Sequence, residues 1–406
     1  MPRYNGGFIG TDGLDAPDPP TIDSVTAGNA QVSVAFTAGT AGTTATTGFV
    51  AQVSTDGTDY SGGSNTGSSS PIVVSSLTNG TSYTAKVWAI NAHGTSAPSK
   101  ASSGVAPVAP VNAFFIAGER AGSISNTIDT ININSEGNAT DYDDLNATTY
   151  QFAGCGSATR AITFGGSVSG NRTTKIRYFD IPTAGTAADF GNLASARSDM
   201  GALSNSTRAV GIGGTITGDA INILEYVTIA SFGNGTDFGD LSGNRYRAAG
   251  TASSTRGLIG GGDNATGSAE EDEIEYITIS STGNVTDFGN LTEARKKPSA
   301  ASNGTRAIFA GGDPASASRT NVIDYVTVAS TGNASDFGDM TEAGREGSGT
   351  ASGTRAVFNV GSAASGGVNT INFVTLASTG NASDFGDLTT TLHNGAATST
   401  AHGGLQ

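Results

Sequence analysis

Thr305-Arg306-Ala307-Ile308-Phe309-Ala310-Gly311-Gly312 is the stretch that decides the fold, together with the Ile323-Asp324-Tyr325-Val326-Thr327 and Asp336-Phe337-Gly338 segments that follow it. Variants of these pieces recur six times. The aspartate of the last piece returns at intervals of 48, 48, 50, 49 and 48 residues, at Asp141, Asp189, Asp237, Asp287, Asp336 and Asp384. A fixed period of this length, built from short β-like runs, is typical of β-propellers and solenoids. The sequence therefore predicts an all-β repeat architecture.

The composition of the 406-residue chain excludes several classes of protein. Its 59 glycines follow no three-residue period, which excludes collagen and favours tight turns. The net charge of −15 argues against a nucleic-acid partner and against an anionic membrane surface. No run approaches the ~18 apolar residues of a membrane span, so no membrane insertion is expected. Cys155 is the single cysteine and cannot form an intrachain disulfide; its apolar run indicates a small core residue.

Residues 1–14 form a glycine-rich arm, and no secretory signal is visible in them. Tyr4, Phe8 and Ile9 are apolar for a terminal tail. The arm is either a flexible terminus or an anchor that orders against a partner. The second interpretation makes these three residues candidates for anchoring to a larger particle.

Residues 15–107 read as a β-sandwich, because apolar residues alternate with period two in runs such as 31–36 and 49–54. Leu77 and Tyr83 lie six residues apart, and Val87-Trp88-Ala89-Ile90-Asn91-Ala92-His93-Gly94 follows. This pattern resembles a fibronectin type III domain, although Phe36 stands where that family usually has Trp. The resemblance implies a spacer or adhesion module. Residues 108–111 then form a short linker.

Residues 112–406 resemble the kelch repeat, a four-stranded propeller blade. A typical copy has a small apolar strand that follows an arginine, as in Arg197, Arg245, Arg295 and Arg345, a second strand ending in Gly-Gly, a third with an aromatic residue and a fourth with Phe where kelch has Trp. The glycine pairs are Gly165-Gly166, Gly213-Gly214, Gly261-Gly262 and Gly311-Gly312. The resemblance implies a six-bladed kelch-like β-propeller.

The two ends of the repeat region predict how the ring closes. The first copy, at Val111–Ile116, lacks the small first strand, and 392–400 looks like that missing strand. His393 follows Leu388 by five residues, as Arg345 follows Met340. We expect the C-terminal strand to complete the first blade and remove an open sheet edge.

The loops after each glycine pair differ most between copies, whereas the loops on the opposite face are nearly uniform. Such variation is typical of a binding face on a repeat scaffold, and drift in unconstrained loops is the alternative. The acidic run 270–273 could bind a cation through oxygen ligands, but a solvated acidic loop is favoured and no metal site is predicted. The candidate binding residues are Asp263, Glu270, Glu271, Asp272, Asp313, Arg319 and Arg172.

Catalysis has little support in the sequence. Only three histidines occur, and no His-Cys-Asp cluster has metal spacing. No nucleophile elbow is present, and nothing singles out a carboxylate pair for glycoside hydrolysis. We expect no catalytic residues and no cofactor.

A bacteriophage virion structural protein is the function that the sequence favours, in a tail, neck or capsid appendage. The module combination looks like such appendages, which is an analogy of fold and composition. Its arm would dock on other virion proteins, and its propeller would bind a host-surface glycan, receptor or neighbouring subunit, in several copies on a symmetric particle. An extracellular or cell-surface bacterial adhesion protein that binds glycans is the alternative, and a glycan-active enzyme is a weaker one.

Overall fold

The structure is a computed structural model that describes residues 16–181, 183, 185, 187–264, 269–315 and 319–401. These residues form strands, turns and loops, so the protein is all-β. Within these ranges no helix is long and apolar enough to cross a membrane. The chain divides into two compact units, with the boundary between Pro110 and Val111.

The first unit contains two antiparallel sheets, with the order β1-β2-β5 in one and β4-β3-β6-β7 in the other. Its strands are β1 (Thr21–Gly28), β2 (Gln31–Thr37), β3 (Gly48–Ser54), β4 (Gly63–Gly67), β5 (Ile72–Ser75), β6 (Thr84–Asn91) and β7 (Gly94–Thr95). The period-two runs explain why the two sheets share one core, because alternate residues of β2, β3 and β6 are buried in it. The buried Tyr83 places its hydroxyl 3.2 Å from the backbone nitrogen of Thr78, which donates to it.

The second unit is built from short strands that follow the sequence repeat. Those of the first two repeats are β8 (Asn112–Arg120), β9 (Ser123–Asn132), β10 (Thr140–Asp144), β11 (Ala153–Gly156), β12 (Arg160–Phe164), β13 (Ser167–Val168), β14 (Asn171–Asp180) and β15 (Ala188–Arg197). Those of the third and fourth are β16 (Gly201–Ser204), β17 (Arg208–Ile212), β18 (Thr215–Ile216), β19 (Asp219–Ala220), β20 (Ile223–Thr228), β21 (Thr236–Asp240), β22 (Arg245–Tyr246), β23 (Ala249–Ala252), β24 (Arg256–Gly260), β25 (Asp263–Asn264), β26 (Glu273–Thr278) and β27 (Thr286–Asn290). The remaining strands are β28 (Arg295–Lys296), β29 (Ser299–Ser302), β30 (Arg306–Ala310), β31 (Asp313–Pro314), β32 (Thr320–Thr327), β33 (Ser335–Gly344), β34 (Ser348–Ala351), β35 (Arg355–Asn359), β36 (Ser362–Ala363), β37 (Gly366–Gly367), β38 (Thr370–Thr375), β39 (Ser383–Asp387) and β40 (Ala396–Ser399).

Six principal antiparallel sheets can be traced through the described part of this unit, and we number them in chain order. Sheet 1 has the order β10-β9-β8-β40, and sheet 2 runs β11-β12-β14-β15. Sheets 3 to 6 run β16-β17-β20-β21, β23-β24-β26-β27, β29-β30-β32-β33 and β34-β35-β38-β39. None of these sheets closes on itself.

The C-terminal strand β40 belongs to sheet 1, although it lies at the opposite end of the unit's sequence. It pairs antiparallel with β8, with Ala396 opposite Ile116 and Ser399 opposite Ala113. This is the pairing expected from the missing first strand of the first repeat. It leaves β8 flanked on both sides, by β9 and by β40.

Among the described residues, the hydrophobic core of the second unit consists of six clusters, each shared between two sheets. Ile162 and Phe164 of sheet 2 pack with Ala209 and Val227 of sheet 3, for example. Other clusters join sheets 1 and 2, 3 and 4, 4 and 5, and 5 and 6. The last cluster joins sheet 6 to sheet 1, with Phe385 packed in the same core as Phe115. Each sheet therefore buries both of its faces against neighbours.

The glycine pairs mark positions that a side chain cannot occupy. Gly213 and Gly214 have φ of 46° and 101°, in the region that favours glycine. A Cβ on Gly213 would lie 2.2 Å from the carbonyl oxygen of Arg245, and one on Gly214 would lie 2.7 Å from that of Ser198. The Gly-Gly pairs therefore mark places, at the end of a second strand, where another backbone segment passes too close for a side chain.

One arginine in each of the second to sixth repeats connects neighbouring sheets. Arg306 lies 4.6 Å from the ring centroid of Tyr325, and its Nη1 donates to the carbonyl of Leu376 in the next sheet. Arg160, Arg208, Arg256 and Arg355 make equivalent contacts. The bond from Arg355 reaches the carbonyl of Ile133, in the segment that follows β9 of sheet 1.

Candidate functional site

We call β11, β16, β23, β29, β34 and β40 the innermost strands, because each contacts its counterparts in the neighbouring sheets. The loops after the glycine pairs lie beside the segments that lead into these strands. Backbone bridges join Tyr150 to Ser167, Ser198 to Thr215 and Arg345 to Ser362, and the two-stranded sheets β22-β25 and β28-β31 do the same in the repeats between. We call this end of the sheets the Gly-Gly face.

Six residues at the centre of the Gly-Gly face share one position in the repeat, immediately before the innermost strand. All have left-handed backbone conformations, with φ between 53° and 60°. Each donates its N–H to the carbonyl of the preceding member, and the first donates to the last, at 2.7–3.4 Å. We call this closed set of hydrogen bonds the central cycle; its members are Gln151, Asp199, Arg247, Lys297, Glu346 and Asn394.

A cavity of about 90 Å³ lies at the central cycle and is lined by all six of its members. Going round the cycle, the side chains are neutral amide, acid, base, base, acid and neutral amide. The two bases, Arg247 and Lys297, are therefore adjacent, and the amides of Gln151 and Asn394 lie across the cycle from them. The backbone pattern is the same in every repeat, so this chemistry depends on side-chain identity alone.

Two ion pairs define the electrostatics of the cavity. Arg247 Nε lies 2.9 Å from Asp199 Oδ1, and Lys297 Nζ contacts Glu346 Oε1. Burial lowers the pKa of Lys297, although Glu346 opposes that shift. Burial would raise the pKa of Glu346, but its hydrogen bond with His393 and the positive charge of Lys297 outweigh burial and lower the pKa to about 2.

Glu346 should make the repeat unit sensitive to acid. Its folded-state pKa of about 2 is below the ordinary value of 4.5, so its stabilisation is present above pH 4.5 and is lost as pH falls from there towards 2. We expect the Glu346→Gln variant to be less stable than the parent at pH 6 and the difference to shrink between pH 4.5 and pH 2. Urea unfolding midpoints across this range measure the effect. A difference that is constant with pH would contradict the assignment.

Three buried arginines, Arg197, Arg245 and Arg295, each precede a member of the central cycle by two residues and each form an ion pair. Arg295 and Asp324 are fully buried and pair at 2.9 Å, and Arg245 pairs with Glu275 at 3.1 Å. Arg197 pairs with Glu225 in the same way. Where the sixth repeat has Gly344 instead of the arginine, it also has Asn372 instead of the acid. The positions therefore change together, as buried charges require.

Arg345 does not occupy the position of Arg197, Arg245 and Arg295, contrary to the sequence interpretation. Its bridge to Ser362 corresponds to that of Lys296 to Asp313, so Gly344 holds the buried position. The physical reason is space, since a Cβ on Gly344 would lie 2.4 Å from Cγ1 of Val360. His393, which bridges to Glu119, does correspond to Arg345.

The predicted acidic binding residues are largely engaged within the protein. Asp263 is buried, accepts a hydrogen bond from the Tyr246 hydroxyl at 3.0 Å and pairs with Lys296 Nζ at 3.2 Å. Glu270 meets the same ammonium group at 2.8 Å. Asp313 is also buried and pairs with Arg345 at 2.7 Å. The structure brings Asp263 and Glu270 together around one lysine rather than around an open ligand site.

The two predicted arginines link neighbouring repeats. Arg172 donates to Thr215 Oγ1 at 3.3 Å, and Arg319 Nε donates to the carbonyl of Ser362 at 2.8 Å. Both acceptors lie in the loop of the next repeat. These contacts occupy part of each guanidinium group, so the two residues stabilise the Gly-Gly face as well as lying on it.

The remaining predicted residues are Glu271 and Asp272 of the acidic run and three residues of the arm. Glu271 Oε1 accepts a hydrogen bond from Asn264 at 2.8 Å, and Glu271 borders a cavity of about 370 Å³. Asp272 is half-buried, and its carbonyl accepts from the N–H of Leu291 at 2.6 Å. Tyr4, Phe8 and Ile9 lie outside the described residues.

The sequence interpretation missed the charged members of the central cycle. Asp199, Arg247, Lys297 and Glu346 stand between two repeated pieces of constant spacing, rather than in the loops of variable length. The signal was a change of charge at one fixed repeat position. A comparison of loop lengths does not detect a change of charge at a position of constant spacing.

Cys155 lies on the innermost strand of sheet 2, among small residues around a second cavity of about 70 Å³. Burial raises the pKa of its thiol to about 12. We therefore expect almost no reaction with a thiol reagent in the native protein at pH 8 and one equivalent after denaturation. Rapid native labelling would contradict this prediction. In the described ranges, no group of three or more His, Cys, Asp and Glu side chains could hold a metal ion.

No protein-family model matches this chain, and no curated protein matches it either.

Proposed function

We propose that the second unit is a six-bladed, kelch-like β-propeller closed by the C-terminal strand, and that the first unit is a fibronectin type III-like sandwich. Two cyclic patterns support the propeller, the six shared cores and the central cycle, and the arginine braces add five links that run from sheet 2 through to sheet 1. The pairing of β40 with β8 supports closure by the C-terminal strand. The two facing sheets and the Tyr83 hydroxyl contact support the sandwich.

The function we propose is non-enzymatic binding by the Gly-Gly face, within a bacteriophage virion structural protein. The observation that supports the binding role is which residues differ between repeats and which stay the same. The bracing arginines repeat from sheet to sheet, whereas the central cycle has neutral, acidic and basic side chains at the same repeat position. A repeat scaffold that keeps its bracing residues and varies the side chains of one face is typical of a protein that binds other molecules.

The virion assignment adds a role for each part of the chain. The arm at 1–14 docks on other structural proteins, the sandwich acts as a spacer, and the propeller presents its Gly-Gly face to a host glycan or a neighbouring subunit. Several copies on a symmetric particle would turn weak single contacts into avidity. The composition and the combination of modules support this assignment by analogy.

Two measurements test the proposal. Mass spectrometry of particles purified from infected cells should detect the chain in several copies, and deletion of residues 1–14 should reduce its incorporation. A deletion of residues 402–406 serves as the control, with incorporation expected to be normal. If the chain is absent from the particles, the virion role is wrong. Binding of purified protein to host-surface polysaccharide tests the Gly-Gly face separately, and depolymerisation of that polysaccharide would show an enzyme instead.

A further inference from the structure

The central cavity contains one charged group whose hydrogen-bonding capacity is only partly used. Arg247 donates through Nε to Asp199, and among the described residues its two Nη groups have no hydrogen-bond partner. The side chain is 26% exposed and lines the cavity. Its guanidinium carbon lies 4.9 Å from the ring centroid of Tyr246, so the aromatic ring supports the side chain from one side. The group is therefore held in position with donors directed to solvent.

The acids near Arg247 leave its two Nη groups available to an anion. Lys297 follows Arg247 in the central cycle and lines the same cavity, with its own charge paired to Glu346. The two acids are already engaged, Asp199 by Arg247 and Glu346 by Lys297 and His393. A planar arginine fork matches the two oxygens of a carboxylate better than any other common anion-binding side chain does.

The size and the charge of the protein limit the ligand further. A cavity of about 90 Å³ holds several water molecules or the end of one ligand, but not an oligosaccharide chain. The net charge of −15 repels a long polyanion lying across the surface. Across the cycle, the Gln151 amide can donate to and accept from hydroxyl groups, and the Asn394 amide oxygen can accept from them, while Asn394 Nδ2 lies 3.3 Å from His393 Nδ1. A single carboxylate on a hydroxyl-rich end group meets all of these conditions.

We propose that the central cavity binds the terminal acidic sugar of a glycan end-on, with the carboxylate on the Nη groups of Arg247 beside Lys297 and the hydroxyls towards Gln151 and Asn394. The inference rests on the proposed binding role of the Gly-Gly face and names the ligand class. It predicts recognition of chain ends rather than of internal residues.

Calorimetric titration with two probes, methyl glucuronoside and N-acetylneuraminic acid, tests the inference on the full chain. At least one acid should bind, and its methyl ester should bind at least tenfold more weakly, because a charge-assisted bidentate contact is lost. Arg247→Gln and Arg247→Lys should both weaken binding at least tenfold, since lysine keeps the charge but not the fork. Lys175→Gln is the matched control; Lys175 pairs with Asp189 on an exposed part of sheet 2, and its loss should leave binding unchanged. Thermal unfolding of each variant checks that it is folded.

Three outcomes would overturn the inference: no binding of either acid, binding unaffected by both Arg247 variants, or stronger binding of a peptide with a free C-terminal carboxylate. If host polysaccharide binds while the acids do not, the end-on site is wrong and the proposed binding role stands. If the protein is absent from particles, the virion role is wrong whatever this titration shows.

Discussion

Truncation after Leu392 is expected to abolish the cooperative unfolding of the repeat unit. The deletion removes β40 and with it the antiparallel partner of β8, exposing the edge of a strand whose Phe115 and Ile116 are fully buried. It also removes Asn394, which both donates and accepts in the central cycle. A repeat array whose first and last members no longer join should unfold repeat by repeat from its open ends.

Urea unfolding followed by circular dichroism measures this effect. We expect the sharp transition of the parent to become broad and to move to lower urea. A chain that ends at Ala401 is the control, because it keeps every described residue of the closing strand, and its transition should match that of the parent. A synthetic peptide of residues 392–401 should restore part of the lost stability. An unchanged transition after truncation at Leu392 would contradict closure by β40.

Neutralising one partner of the Arg295–Asp324 pair is expected to produce the largest loss of stability from a single substitution. Asp324→Asn keeps an acceptor for the Thr292 N–H, as Asn372 does for Thr341 in the sixth repeat. It leaves the fully buried guanidinium of Arg295 without its counter-charge. Removing one member of a buried pair costs about 3–5 kcal/mol, mainly because the other charge remains buried.

A double-mutant cycle separates this cost from general damage. Arg295→Met with Asp324→Asn leaves two neutral groups, which is the state that the sixth repeat adopts with Gly344 and Asn372. We expect the double variant to be more stable than Asp324→Asn alone, with a coupling of about 1–3 kcal/mol in the free energy of unfolding. Additive losses would show that the pair makes no net interaction.

The periodic residues correctly predicted an all-β fold. Period-two runs predicted the strands of the first unit, and the lack of a first strand before 112–116 pointed to β40. These features are local in sequence or repeat six times, so each copy supports the others. Arg345 was assigned to the wrong repeat position because its residue type was given more weight than its spacing. Arg295 follows Leu291 by four residues, whereas Arg345 follows Met340 by five.

The candidate site was much harder to predict than the fold. Asp263 and Asp313 look like exposed loop acids in sequence, yet each is buried by a base from the adjoining segment, Lys296 or Arg345. Which acid meets which base depends on the packing of segments that are 32 or 33 residues apart. The central cycle unites residues from six repeats, and no local pattern reports that they meet.

The six left-handed residues of the central cycle have a consequence for how this protein could change its specificity. Their backbone hydrogen bonds use only N–H and C=O groups, so the cycle does not require any particular side chain. A left-handed conformation costs a non-glycine residue about 1–2 kcal/mol, and six tolerated copies show that the surrounding packing absorbs this strain. The side chains at the six positions around the cavity can therefore be exchanged while the backbone of the cycle stays the same. Recombination or point substitution at these positions could select a new ligand without refolding the scaffold, and libraries restricted to them would sample recognition directly.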